Sequence, residues 1–447
     1  MTEPVPPAPA PAPALSGTAP PPQGLRRVLA NLAHLLGGKA AAGLMSLVYL
    51  VLVARTLGVR DYGILVLING YVVFIGSVLA FSGFHGVVRY GSLALARGDA
   101  PALARLVRLM TVIELGCGLF AILVAALLVP IVGPRFGWPP EALRLALPYS
   151  LAVIATVRAT PQGLLQIAGR FDLIGLHQAV SPVVRLIGAL LAWALGAGLP
   201  GFLLVWFVSA LAEGVAMWLL GLIAWRRLTA RAPLAGPWRG GGEPGFGRFI
   251  LVTNFDITLR ELAPNLAPLT VGWLLGPAAA GLFTLAQRAT TALQQPAVLL
   301  AQASYSVLAD LVAQRRLALL RTTVWRSAGL ALAVAVPFVA ALALAAGGLL
   351  PLIGGRSFHG GVALVTLLAF ARGLGLVAAP IGAGLTALGL PQRSAAATLV
   401  ANLALYPLLP LLILIDGING AGWHALGQNL VAALLLAFFF RRDSHAA

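Results

Sequence analysis

Ten ionisable side chains stand inside long apolar runs of this 447-residue chain: Lys39, Arg158, Arg185, Arg260, Arg288 and Arg372, with Glu114, Glu213, Asp256 and Glu261. A charge facing hydrocarbon at mid-membrane costs at least about 3 kcal/mol, so these groups must face a bundle interior or a wet cavity. Guanidinium groups in such a place suit recognition of an anion, and carboxylates suit carriage of a proton or cation. Asp256 and Arg260 are spaced i, i+4 with the acid first, and pair on one helix face. Asn254, Thr258, Glu261 and Asn265 fall on a second stripe of the same helix, which is therefore polar on two sides and lines a cavity. Pro264 and Pro268 should kink its far part. Arg185 and Glu213 sit at similar depths on consecutive helices and read as an ion pair. Arg158, Arg288 and Arg372 have no nearby acid and read as anion ligands. Lys39 and Glu114 lie nearer one membrane face and could snorkel to it. Once the two pairs are formed, four basic and two acidic groups remain, which predicts a modestly cationic cavity.

Other chemistry is missing. The chain has no Gly-Lys-Ser/Thr phosphate loop, nucleophile elbow or zinc helix. Cys117 is its one cysteine, so no intrachain disulfide forms, and the six histidines match no metal spacing. Asp61 and Asp416 stand in turn-like contexts and read as turn residues rather than catalytic acids. No enzyme, cofactor or metal site is expected.

The elements that carry these residues are membrane helices. With 60% hydrophobic and 10% charged residues, the chain is a polytopic membrane protein, all-α, with about twelve transmembrane helices. The apolar runs place helices near 29–53, 63–87, 106–131, 143–168, 174–197, 201–224, 249–274, 279–304, 327–350, 361–388, 395–415 and 421–440. Residues 1–24 form a disordered Pro/Ala-rich tail, 25–224 a first six-helix lobe, 225–248 a basic linker, 249–440 a second lobe and 441–447 a short tail. Nineteen of the 30 basic residues fall in one set of alternate loops and termini and five in the other. That bias puts both ends of the chain in the cytoplasm. The formal net charge of +17 then reads as contact with anionic lipid rather than nucleic acid.

Leu57, Gly58, Gly63 and Leu67 recur close to half a chain later as Leu275, Gly276, Gly281 and Leu285, each set in the turn between two apolar runs. This echo marks an internal repeat of six helices. The first turn, ARTLGVRDYGILVL with Leu57, Gly58, Tyr62 and Gly63, and the segment QGLLQIAGRFD at Gln162–Asp172, resemble the polysaccharide-synthesis flippases of the multidrug/oligosaccharidyl-lipid/polysaccharide (MOP) superfamily. The resemblance implies two lobes related by a pseudo-twofold axis along the membrane normal, MATE-like in fold, and a central cavity that alternates between faces. It implies an undecaprenyl-diphosphate-linked oligosaccharide as substrate, moved from inner to outer leaflet of the cell membrane. Arg158, Arg260, Arg288 and Arg372, chosen by depth, are expected to meet the diphosphate. Coupling to H+ or Na+ through Glu114, Glu213, Asp256 or Glu261, and contact with polysaccharide polymerase machinery, are open under the same resemblance. The alternatives are a multidrug extruder of the same fold, which wants an acidic cavity, and an integral-membrane polymerase or glycosyltransferase, which wants external catalytic acids.

Overall fold

The structure is a computed structural model that describes residues 23–229, 245–291, 304–305, 307–358 and 360–446, with side chains from Met45 to Ser444. Most of the N-terminal tail, most of the basic linker, the Lys39 side chain and the far end of the helix expected at 279–304 lie outside the described residues. Among the described residues there is helix and no strand.

The helices are α1 (Gln23–Leu79), α2 (Phe84–Ala96), α3 (Ala100–Arg135), α4 (Pro140–Tyr149) followed by a 3-10 turn (Ser150–Thr156), α5 (Ala159–Ile167), α6 (Phe171–Ala194), α7 (Leu199–Leu228), α8 (Phe246–Leu275), α9 (Pro277–Thr290), α10 (Leu317–Gly354), α11 (Val362–Ala387), α12 (Pro391–Ala404) and α13 (Leu408–Ala446). Among the described residues eight helices are long and apolar enough to cross a membrane, two of them with a backbone hinge inside. The hinges, at Gly58 in α1 and at Asp416–Gly417 in α13, each separate two of the spans expected from sequence. α8 has the length of a span but carries Asp256, Arg260 and Glu261 in its middle. The chain is thus an all-α polytopic membrane protein.

The turns reveal the repeat. Positive φ occurs at Gly58, Gly98, Gly137, Gly169 and Gly196, and again, in the same order and at nearly constant offset, at Gly276, Arg315, Gly355, Gly389 and Gly417. Turns of matching spacing thus divide each half into six segments. Gly58 (φ 73, ψ 175) and Gly276 (φ 84, ψ 178) adopt the same conformation. That region of backbone space is open in practice to glycine alone, which is why the sequence echo contains it.

The two echoed turns pack directly on each other. A Cβ at Gly63 would lie 1.8 Å from the Pro277 carbonyl oxygen, and one at Gly281 would lie 2.5 Å from that of Val59. Each copy of the motif therefore uses its second glycine to admit the backbone of the other copy. Leu67 fills the space left by Gly272 one turn further along. Around this crossing runs one hydrophobic core built by both halves, including Leu65, Ile68, Val271, Phe283, Leu350 and Leu364. At the opposite end the core divides. Val87, Leu103, Met110 and Leu165 form one cluster with Ile250, while Leu320, Val324, Leu385 and Phe440 form another. The halves share one core at the end that carries Gly58; at the end that carries Gly98 the described residues form two clusters, with the start of α8 packed into the first of them.

Three expected helices are broken. The run at 63–87 stops at Leu79, and α2 restarts at Phe84. The run at 143–168 passes through the 3-10 turn and a non-helical Val157–Arg158. The run at 395–415 breaks at Leu405–Pro407, because Pro407 has no N–H to continue the ladder. Carbonyls freed there find side chains of α13: Gln428 Nε2 donates to Asn402 O at 3.1 Å, and His424 Nε2 lies 3.0 Å from Leu405 O. Conversely, α8 is helical throughout 246–275 despite Pro264 and Pro268, so the expected kink is not a break.

Packing at the crossing leaves no room for a methyl group. Gly63→Ala and Gly281→Ala should each lower the thermal unfolding midpoint of the detergent-solubilised protein, since overpacking of this kind costs about 1–3 kcal/mol. Gly116→Ala on α3, where an added Cβ meets nothing within 4 Å, should leave the midpoint unchanged or raise it.

Candidate substrate cavity

A cavity of about 600 Å³ opens between the helices of the first half and α8. Its walls come from the second part of α1 (Asn69, Ser77), the broken segment after the 3-10 turn (Arg158, Gln162), α6 (Arg185), α7 (Glu213) and α8 (Glu261, Asn265). Two of the breaks described above create it, and one carboxylate holds both. Glu114 on α3 is fully buried. Its Oε1 accepts from Gly83 N at 2.7 Å, the N-cap of α2, and its Oε2 accepts from Thr160 N at 3.1 Å, in the first turn of α5. A carboxylate at helix N-termini satisfies donors that have no intrahelical partner and meets the positive ends of two helix dipoles. Glu114 does not snorkel to the membrane face as the sequence suggested, because two uncapped helix starts point at it. Asn254 of α8 completes the seam by accepting from Ser82 N at 2.8 Å.

The break before α5 sets the charges of the cavity. Arg158, released from helical geometry (φ −144), forms an ion pair with Glu213. This corrects the expected Arg185–Glu213 pair: the non-helical turn carries the Arg158 guanidinium across to α7. Arg185 has neutral partners instead. Its Nε donates to Ser209 Oγ at 3.2 Å and its Nη1 to the Tyr49 hydroxyl at 3.3 Å. Its guanidinium lies 4.4 Å from the centroid of the Trp206 ring, a cation–π contact worth about 0.5–2 kcal/mol. Among the described residues it has no carboxylate partner. Tyr149 donates to Asn69 Oδ1 at 2.9 Å behind it.

The other expected site residues are distributed differently. Of the α8 stripe, Glu261 and Asn265 line the cavity, with Asn265 Nδ2 shared between Ser77 Oγ and Glu261 Oε2, each at 3.4 Å. Asn254 serves the α2 cap, and Thr258 is half-buried on the same helix. Asp256 accepts from Arg260 Nε at 2.8 Å, and both side chains are close to half exposed. Arg260, Arg288 and Arg372 do not line this cavity, so the four arginines chosen by depth are not gathered in one place. The cavity charges are Arg158 and Arg185 against Glu213 and Glu261, balanced rather than cationic. Depth along a helix sets the height of a side chain and leaves its azimuth open, and azimuth separates these arginines. Tyr49, Trp206 and Ser209, the partners of Arg185, were missed for a related reason. They sit on other helices, and no local spacing links them to it.

A two-repeat bundle joined at one end, with a charged cavity walled by broken helices, defines an all-α polytopic membrane protein. Solved structures with this fold include lipid II flippase MurJ in an inward closed conformation, at TM-score 0.69 and 13% identity over 91% of this chain and 87% of that one. A multidrug resistance MATE family transporter of the MOP superfamily, inward-facing, superposes at TM-score 0.63 with 18% identity over 91% of this chain and 95% of that one. In sequence, the inner membrane protein YghQ of Escherichia coli (strain K12) is 26% identical over 291 residues, covering 63% of this chain and 79% of that protein. The family described as polysaccharide biosynthesis protein matches residues 52–363, and the chain belongs to it.

Glu114 should be structurally sensitive. Glu114→Ala leaves two buried N–H donors without an acceptor and should destabilise the protein by about 1–3 kcal/mol per donor. Glu114→Gln keeps one amide oxygen and should cost less. Thermal unfolding of both variants in the same detergent checks the order.

Proposed function

We propose that this protein is a flippase that carries an undecaprenyl-diphosphate-linked oligosaccharide from the inner to the outer leaflet of the inner membrane, by alternating access, during cell-surface polysaccharide export. Membership of the polysaccharide biosynthesis family gives the reading its class of substrate. The observation that carries it is the arrangement of the cores. Among the described residues one core is shared at the Gly58 end, while at the Gly98 end the first-half helices with the start of α8 form one cluster and α10, α11, α12 and α13 form another, an arrangement closed at one face and divided at the other. Alternating access needs this state and its inverse. By the loop charges, the parted end is the cytoplasmic one, where a lipid-linked substrate enters and where Arg-rich loops meet anionic lipid.

In this reading Arg185 is the first diphosphate ligand. Its partners are hydroxyls and aromatic faces, which leave its charge uncompensated. Arg158 is the second, since a diphosphate can take the place of Glu213 against its guanidinium. Arg288 and Arg372, which lack an ion-pair partner among the described residues, remain candidates for later steps of passage, and Arg260 for one that opens its pair with Asp256.

Liposomes reconstituted with the full chain and fluorescent polyprenyl-diphosphate glycans test the reading. Arg185→Ala should slow translocation by about tenfold or more, the effect of losing about 1.4 kcal/mol or more of charge-assisted hydrogen bonding. Arg185→Lys should recover part of the rate. Transport at the wild-type rate in Arg185→Ala would remove the arginine assignment, and turnover of a sugar donor without translocation would replace the flippase by an enzyme.

A further inference from the structure

The second half contains a cavity of about 530 Å³ that repeats the first in position and differs from it in chemistry. Ala155, Arg158, Ala159 and Gln162 line the first cavity. Their counterparts under the repeat, Gly375, Ala378, Ala379 and Gly382, line the second. The offset between these two sets is the one that separates the turn at Gly169 from the turn at Gly389. The last helix of each half also contributes in step: Ala210 and Glu213 in the first cavity, Asn429 and Ala432 in the second, with the same spacing. The repeat has built one pocket twice. Where the first copy holds Arg158, Gln162 and Glu213, the second holds Ala378, Gly382 and Ala432, and among the described residues its lining carries no charged side chain.

The polar side chains that remain in the second pocket are Tyr305, Thr386, Ser394, Thr398 and Asn429, all neutral. Thr386 Oγ1 donates to Gly382 O at 2.9 Å, Thr398 Oγ1 to Ser394 O at 3.3 Å, and Asn429 Nδ2 to Ala425 O at 2.9 Å. These three donors are engaged by their own helices, while the Tyr305 and Ser394 hydroxyls and the second Nδ2 hydrogen of Asn429 add donors to the wall. The hydroxyl lone pairs and Asn429 Oδ1 are left for partners that bring hydrogens. The glycines let such partners approach. A Cβ at Gly375 would lie 3.3 Å from Asn429 Oδ1, and one at Gly382 would lie 3.2 Å from Ser394 Oγ. An uncharged wall of small residues with neutral donors and acceptors offers no counter-charge to a phosphate or an organic cation. It suits a neutral, polyhydroxylated ligand, whose O–H groups both donate to and accept from such a wall.

We propose that this pocket binds the glycan of the substrate, while the charged pocket of the first half binds its diphosphate. The inference rests on the flippase reading above and adds to it a division of labour between the two repeats. One pocket reads the group shared by all polyprenyl-diphosphate lipids, and the other reads the sugar.

The test compares two probes on the full chain in nanodiscs: undecaprenyl diphosphate without sugar, and undecaprenyl diphosphate bearing an oligosaccharide. The variant is Thr386→Val with Thr398→Val. It is nearly isosteric and removes two acceptors without stranding a donor, since Gly382 O and Ser394 O keep their helical positions. The glycosylated probe should bind about tenfold more weakly to the variant than to wild type, with the sugar-free probe unchanged. Arg185→Ala should weaken both probes together. Equal affinity of wild type for the two probes, an unchanged affinity of the variant for the glycosylated one, or equal weakening of both by the threonine variant would overturn the glycan pocket and leave the flippase reading standing. Binding of neither probe by wild type would overturn that reading itself, and the pocket assignment with it.

Discussion

The close crossing of two backbone turns is the constraint on which the rest of this structure depends. Gly63 lies against Pro277 and Gly281 against Val59, at separations that exclude any side chain. In a bilayer no hydrophobic effect draws one helix to another, so association rests on close packing, and small residues supply it. With the turns locked together, one core forms around them from both halves. Among the described residues the two other clusters have no such crossing between them, and α8 of the second half goes with the first. The tight contact lies at one face for the same reason: the glycines that permit the crossing stand at the turns of that end.

The cavities follow from a second constraint, the obligation to satisfy every backbone group away from water. Breaking a membrane helix exposes N–H and C=O groups, and each break here has side chains assigned to it. Glu114 and Asn254 meet the donors at the starts of α2 and α5. Gln428 and His424 meet the carbonyls at the break before α13. The first set lies beside the charged cavity, and the break it holds open is what turns Arg158 toward Glu213. Polar residues that look like transport chemistry when read singly thus divide into two groups. Some hold the breaks open, and others face the space the breaks create.

Internal duplication supplied two copies of one scaffold, and the copies diverged at the positions that line their pockets. The turns stayed in register across each half, including the replacement of Gly98 by Arg315 at a matching positive φ. Lining positions did not. The geometry of a turn tolerates few residues, whereas a pocket wall in a bundle tolerates any side chain that the cavity can hydrate or pair.

Much of the architecture was legible in the residues alone. Apolar length gave the spans, and the echo of Leu57–Leu67 in Leu275–Leu285 gave the repeat, because each of these is local or periodic. The Asp256–Arg260 contact was legible for the same reason: one helical turn fixes it. Tertiary structure alone decided which charges meet. Whether Glu213 faces Arg158 or Arg185, and whether Glu114 reaches the surface or caps two helices, depends on the azimuth of each helix and on where its neighbours break. Those are set by packing among segments as far apart in the chain as Ser82 and Asn254, and no spacing within one segment encodes them.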